Sequence, residues 1–215
     1  MILIITGPQG SGKGTQAKLI AKEFGLFHMQ SGEMLREMAK SNQRIKDMIN
    51  QGTLVPDQET LDYIEVYLQK RHGQFNNIIF DGYPRSINQY ELLTSWVKNK
   101  NNNVDRIIYL DISDKKAIRR LSARRVCEKC GAIYNLITKL PPKENECKCG
   151  NKLIQREDDV PEAIKKRLSI FHKYTKSVLK MAETDGILLR VNGERPINVI
   201  FEDILEKLRN KNDKK

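Results

Sequence analysis

The chain has 215 residues, enough for one well-buried α/β core with insertions and too few for two independent domains. Thirty-eight Lys and Arg against 27 Asp and Glu leave a formal charge of +11, which suits a polyanionic ligand and equally suits nonspecific contact with nucleic acid. The first five residues are apolar but lack a basic flank and are too short for a signal segment, and no later stretch approaches a membrane span, so a soluble cytoplasmic protein with no membrane partner is expected.

In chain order, residues 2–5 read as a buried strand. They run straight into Gly7-Pro8-Gln9-Gly10-Ser11-Gly12-Lys13-Gly14-Thr15, behind which Ala17, Ile20, Ala21 and Phe24 recur at helical spacing until Gly25 stops them. A strand, a glycine-rich loop and a helix make a phosphate cradle. Glycines let the backbone approach an anion, so that successive N–H groups and the first helical turn point at it, while Lys13 reaches the outer phosphates. Ser or Thr usually follows that lysine directly; here Gly14 intervenes and the hydroxyl belongs to Thr15.

Residues 26–29 form a weaker strand candidate, and residues 30–55 read as two short helices between strands. Leu61, Ile64 and Leu68 mark a helix, residues 78–80 and 107–110 mark strands, and residues 123–159 form a polar segment with Pro141-Pro142 and all four cysteines. A stripe at Ile164, Leu168, Phe171 and Val178, a strand at 187–191, and a last stripe at Ile197, Ile200, Phe201, Ile204, Leu205 and Leu208 complete the pattern. Pro161 and Pro196 stand where first-turn prolines belong, and the basic stretch from Arg209 to Lys215 reads as a frayed, solvated end. Strands alternating with helices predict a doubly wound, five-stranded parallel sheet flanked by helices, with ligands at the carboxyl ends of the strands. The two segments that break the alternation read as insertions over the mouth of that site.

Asp81-Gly82-Tyr83-Pro84-Arg85 follows the strand at 78–80. A carboxylate at a strand end beside a phosphate loop serves a magnesium ion, so Asp81 is a candidate ligand; without the phosphate loop it would read as a turn cap. The planar fork of Arg85 suits phosphate, and with Arg36, Arg124, Arg156 and Arg167 it could ring a transferring phosphoryl group, although each taken singly is a surface charge. His28, His72 and His172 read as structural or surface residues. No histidine or carboxylate in the sequence has to accept a proton.

Cys127-Glu128-Lys129-Cys130 is separated by sixteen residues from Cys147-Lys148-Cys149. Four soft ligands in two pairs suit structural tetrahedral zinc; free thiols and a zinc-ribbon nucleic-acid module are the alternatives, the second opposed by the lack of interleaved aromatics for stacking.

Together these motifs resemble the adenylate kinases, of the type whose lid carries cysteines, from Met1 to Leu208. The resemblance rests on the glycine-rich loop, Ser31-Gly32-Glu33-Met34-Leu35-Arg36, Gly52-Thr53-Leu54-Val55-Pro56, Asp81 to Arg85 with Gln89, Arg124-Arg125-Val126, Arg156-Glu157-Asp158-Asp159, Lys166-Arg167-Leu168 and Val191-Asn192-Gly193. It implies a P-loop kinase core (1–29, 57–122 and 160–215), an NMP-binding insertion at 30–56 and a zinc-ribbon-like lid at 123–159. It also implies reversible phosphoryl transfer from MgATP to AMP giving two ADP, by a monomer.

By the resemblance, Gly10, Ser11, Gly12, Lys13, Gly14 and Thr15 hold ATP phosphates, with Arg124 at the lid base, Ile133 and Tyr134 on the adenine side, and the Arg195 carbonyl approaching the ring. Ser31, Arg36, Thr53, Leu54, Val55, Gly82, Tyr83, Pro84, Arg85 and Gln89 would surround AMP, and Arg156 and Arg167 would close over the phosphoryl groups. Lys13, Asp81, Arg85, Arg124, Arg156 and Arg167 would form the catalytic set, with Mg2+ arriving on ATP and structural Zn2+ on Cys127, Cys130, Cys147 and Cys149. The family spaces the second cysteine pair by two residues and this chain by one, so spacing alone leaves Cys147 open as a ligand. A kinase for another monophosphate, or a nucleic-acid-stimulated NTPase using the basic charge, would be the competing functions.

Overall fold

A computed structural model of the chain describes residues 1–210; the end of the basic tail, 211–215, lies outside the described residues. The elements begin β1 (Ile2–Thr6), α1 (Lys13–Phe24), β2 (Phe27–Gln30), α2 (Ser31–Met38), α3 (Gln43–Asn50), α4 (Asp57–Arg71), β3 (Ile78–Asp81), α5 (Ile87–Asn99), β4 (Arg106–Asp111) and α6 (Asp114–Ser122). There follow β5 (Arg124–Cys127), β6 (Ile133–Asn135), β7 (Leu153–Ile154), α7 (Pro161–Ile170), α8 (Lys176–Thr184), β8 (Leu188–Asn192) and α9 (Ile197–Arg209).

The main sheet is parallel throughout, in the order β2-β3-β1-β4-β8. Its inner strands β1, β3 and β4 are apolar without alternation where both faces are covered, whereas the edge strands β2 and β8 are mixed. On one face Ile2, Ile4, Ile78 and Phe80 pack with Leu61, Ile64 and Leu68 of α4 and Leu93, Trp96 and Val97 of α5. On the other, Leu3, Ile5, Ile79, Ile108 and Leu110 meet Ala17 and Ile20 of α1 and Ile200, Ile204 and Leu208 of α9. Each such fully buried aliphatic side chain contributes about 1.5–3 kcal/mol relative to exposure, so this two-sided core holds the sheet rigid beneath the site. The chain leaves β1 toward β3 and β2 on one side and reaches β4 and β8 on the other, which opens a crevice at the carboxyl end of β1 where the glycine-rich loop lies.

Two helices escaped the sequence reading. α5 buries Tyr90, Leu93, Trp96 and Val97 and is capped by Ser86, whose Oγ accepts the Gln89 N–H at 3.1 Å. α6 buries only Ala117 and Leu121 among basic neighbours, too little apolar spacing to mark a helix. The stripe from Ile164 to Val178 is helical but interrupted: a five-residue π segment, Phe171–Thr175, separates α7 from α8. Pro161 opens α7 as expected, whereas Pro196 lies just before α9 rather than in its first turn.

Residues 30–55 do hold two short helices, α2 and α3, the second capped by Asn42. Residues 123–159 hold a small antiparallel sheet in the order β6-β5-β7. No described helix is long and apolar enough to cross a membrane.

Candidate active site

The glycine-rich loop takes its shape where no side chain fits. A Cβ at Gly7 would lie 2.5 Å from the Leu110 carbonyl oxygen and one at Gly10 2.8 Å from that of Ala117, both with positive φ, so the loop is pressed onto β4 and α6. Lys13, at the head of α1, folds back and donates to the carbonyls of Gly7 (2.7 Å) and Pro8 (2.9 Å). Burial draws its ammonium down from 10.5 to about 7; Asp81 opposes that fall, and Arg85, Arg167 and Arg124 add to it.

Asp81 is buried at the end of β3, its Oδ2 3.2 Å from where a Cβ on Gly14 would be, so carboxylate and phosphate loop adjoin. His28 Nε2 lies 3.2 Å from the same oxygen, which gives that histidine a structural partner at the site.

One cleft of about 980 Å³ runs from this loop past α2 and the 52–55 loop to the small sheet. The nucleotide-site residues named from the sequence line it, except Pro84; Pro8 of the glycine-rich loop stands outside its lining as well. Pro84 is buried, joined to Tyr83 by a cis peptide bond, and does not line the cleft.

Arg85 is fixed at three points. Its backbone N–H donates to Gln89 Oε1 at 2.8 Å, its Nε donates to the Gly82 carbonyl at 2.7 Å, and its own carbonyl accepts the Thr175 hydroxyl at 2.9 Å. Ser31 Oγ donates to the Asp81 carbonyl at 3.2 Å. Burial lowers the guanidinium pKa of Arg85 and brings those of Arg36 and Arg167 down to about 10, the mark of cations gathered out of water.

Two aspartates that the sequence reading left without a role hold the other arginines. Arg124 Nε donates to Asp159 Oδ2 at 2.6 Å, Arg156 grips Asp158 at 2.7 and 2.6 Å, and Arg167 donates to the Asp158 carbonyl at 2.8 Å. Burial alone would raise the Asp158 carboxyl, but Arg167 and Arg156 outweigh it and hold it low. Arg120 was also missed. It donates to the Gly193 carbonyl at 2.8 Å and the Gly10 carbonyl at 3.4 Å, tying the phosphate loop to the turn after β8, a contact that no local spacing marks.

Toward the small sheet, Ile133 is exposed to the cleft, and Arg195 lines it with its guanidinium paired to Asp203. Tyr134 lines the cleft too, but its hydroxyl serves the cysteines, accepting the Lys148 N–H at 3.1 Å and lying 3.5 Å from Cys147 Sγ.

The four cysteine sulfurs all lie within 4.8 Å of one another. Cys127 and Cys149 are 3.5 Å apart, as are Cys130 and Cys147. Tetrahedral zinc with bonds of about 2.3 Å requires sulfurs roughly 3.8 Å apart, so the set fits. The shorter second pair closes because Gly150 N–H returns to the Cys147 carbonyl at 2.8 Å, turning both sulfurs inward. The Cys149 N–H, with the Tyr134 hydroxyl, draws the Cys147 thiol down to about 6, which favours the thiolate a metal needs.

A phosphate loop at the switch point of a parallel sheet, faced across one cleft by a second cluster of arginines, defines a P-loop phosphotransferase of the nucleoside monophosphate kinase class. The sequence profile of the family described as adenylate kinase matches residues 5–187. Curated relatives with that name are 37% identical in Caldanaerobacter subterraneus subsp. tengcongensis (97% of this chain, 96% of the relative) and 36% identical in Oceanobacillus iheyensis (95% and 97%). A third, from Kosmotoga olearia, is 36% identical over 98% of this chain and all of the relative. The chain belongs to the adenylate kinase family, the ATP:AMP phosphotransferases, which decides for a kinase over a nucleic-acid-stimulated NTPase.

The lowered Lys13 has a measurable consequence. Between about pH 7 and 10.5 the unfolded chain holds a proton on Lys13 that the ligand-free fold does not, so this group makes stability rise with pH across that window. A triphosphate beside Lys13 restores the charged form, so ATP binding at pH 8 is expected to take up close to one proton. Calorimetry in buffers of differing ionisation enthalpy reads that uptake, and Lys13→Met should abolish it. No proton uptake in the unsubstituted protein would count against the assignment.

Proposed function

We propose that the enzyme moves a phosphoryl group in line between ATP and AMP, with no general base. The observation that carries this reading is the single cleft in which Lys13 and its loop face Arg85, Arg36, Arg156 and Arg167. A monophosphate arrives ionised, so the protein has only to align two polyanions, offset their repulsion and exclude water.

In this reading Gly10 to Thr15, Arg124, Ile133, Tyr134 and the Arg195 carbonyl take ATP. Ser31, Arg36, Thr53 to Val55, Gly82, Tyr83, Arg85 and Gln89 take AMP, and Arg156 and Arg167 span the transferring group. Arg124, Arg156 and Arg167 exchange their aspartate partners in part for phosphate oxygens as nucleotides enter. That exchange explains how so many cations are kept together before substrate arrives. Asp81 and the Thr15 hydroxyl would hold the magnesium that comes with ATP, which neutralises charge across the phosphates. Residues 30–56 and 123–159 act as flaps that shut over bound nucleotides, the second stiffened by zinc on Cys127, Cys130, Cys147 and Cys149. The protein works as a monomer in the cytoplasm.

Gln89 supports adenine as the acceptor base. Its Oε1 is taken by the Arg85 N–H, so its remaining amide group is a donor, suited to an acceptor nitrogen of a purine. Coupled assays with AMP, GMP, CMP and UMP are expected to give the highest kcat/KM for AMP, and Gln89→Leu should raise the KM for AMP about tenfold or more, the size of one lost hydrogen bond. A pyrimidine preference in the unsubstituted enzyme would overturn the acceptor assignment.

A further inference from the structure

We infer that Thr175 is a positioning residue for the reaction: from the π segment between α7 and α8, its hydroxyl fixes the backbone of Arg85 and so aims the Arg85 guanidinium. The inference rests on the reading of Arg85 as the residue that grips the AMP phosphate.

A threonine inside a helix usually turns its hydroxyl back onto the carbonyl four residues earlier. Thr60, Thr94 and Thr184 do so here, donating to Pro56 (3.0 Å), Tyr90 (2.9 Å) and Lys180 (3.1 Å). Thr175 does not. It lies in the π segment, where the Phe171 carbonyl accepts the Lys176 N–H in a five-residue bond. The Thr175 hydroxyl reaches across to another part of the chain and donates to the Arg85 carbonyl at 2.9 Å, ninety residues away in sequence. Thr175 is 3% exposed and stands in the wall of the cleft.

The bond falls where it constrains most. The Arg85 N–H is held by Gln89 at the head of α5 and its Nε by the Gly82 carbonyl, and both of those anchors lie within four residues of Arg85. Thr175 supplies an anchor from a different element, one continuous with α7, which carries Arg167 eight residues earlier. From the widened turn one hydroxyl thus holds Arg85 in register with the helix that bears a second phosphate-side cation. Neither the bond nor the widened turn is visible in the apolar spacing of that helix.

The test is a double-substitution cycle on the full-length protein, read as separate KM values for AMP and ATP and as kcat. Thr175→Val keeps the shape and removes the donor. It should raise the KM for AMP about tenfold and lower kcat while leaving the KM for ATP unchanged, since small misplacements at a reacting centre cost up to about a hundredfold. Thr175→Ser, which keeps the donor, should restore most of the loss. In an Arg85→Ala background Thr175→Val should add nothing, whereas a merely structural role would lower both nucleotides' binding and add its effect in either background. If Thr175→Val melts within the assay range, Thr175→Ala in the same cycle, with AMP binding measured calorimetrically in the cold, carries the comparison. An unchanged KM for AMP in Arg85→Ala overturns the reading of Arg85 itself. An unchanged KM for AMP in Thr175→Val beside a crippled Arg85→Ala overturns this link alone.

Discussion

Arg85→Ala is expected to lower kcat/KM for AMP by about 10³-fold or more, the range seen when an arginine that meets phosphoryl charge is removed, with little change in the KM for ATP. Among the described residues Arg85 differs from Arg124, Arg156 and Arg167 in having no side-chain ion pair; its side chain donates to the Gly82 carbonyl, and its backbone is held by Gln89 and Thr175. No carboxylate among them has to be displaced from its guanidinium when a ligand binds. Burial depresses its pKa, which means that the fold disfavours the charged form, and removing it should leave the melting temperature unchanged or slightly raised. Arg85→Lys should rescue little, because a point charge cannot replace a planar fork held at two edges. Steady-state kinetics beside a thermal melt separate the two effects. Near-normal turnover for Arg85→Ala, or a collapse of the melt in proportion to the loss of rate, would sink the assignment.

What could be read from the sequence were the features that one local constraint dictates. The phosphate loop is legible because the strand before it, the glycines within it and the helix after it are all required by one anion. The inner strands are legible because a parallel sheet buried on both faces is apolar there, as Ile2 to Ile5 are, while the edge strand Phe27–Gln30 gave the weaker signal. The helices α2 and α3 could be sensed as an interruption of the alternation. By contrast, α6 escaped because it is held by two buried side chains and a cap, and the π segment escaped because Ile164, Leu168, Phe171, Thr175 and Val178 keep ordinary helical spacing across it.

At the site, residue types were legible and pairings were not. Asp158 and Asp159 stood in a quoted motif, yet only the fold reveals that they hold Arg124, Arg156 and Arg167. Arg120 and Tyr134 owe their roles to carbonyls and sulfurs that come near only through the tertiary structure. Cys147 was left open by spacing because a one-residue gap has many conformations, and the fold selects the one that brings its sulfur to the other three.

Stripping zinc from the loaded protein is expected to unfold residues 123–159 while the core stays folded. The apolar centre of that segment is small: Cys127, Tyr134, Cys147 and Leu153 are its buried side chains, with Ala132 packed beside them, and two of these are cysteines of the proposed zinc set. So few contacts cannot offset the conformational entropy of ordering the segment, at about 1–2 kcal/mol per residue, whereas a structural zinc site contributes roughly 10–16 kcal/mol. Without metal, Arg124 and Arg156 lose a fixed platform, so turnover should fall by about a hundredfold or more, as for loss of other charge-stabilising groups. The single tryptophan, Trp96, packs edge-on against Phe75 in the main core and should keep its emission, while proteolysis cuts between 123 and 159. Metal analysis of Cys147→Ser closes the remaining question about that ligand. If Cys147 completes the site, the variant should bind zinc far more weakly and show the same selective cleavage as the stripped protein. One retained zinc per chain with an intact segment would show that three cysteines suffice, and a stripped protein that resists cleavage and keeps its rate would show that the segment holds itself together.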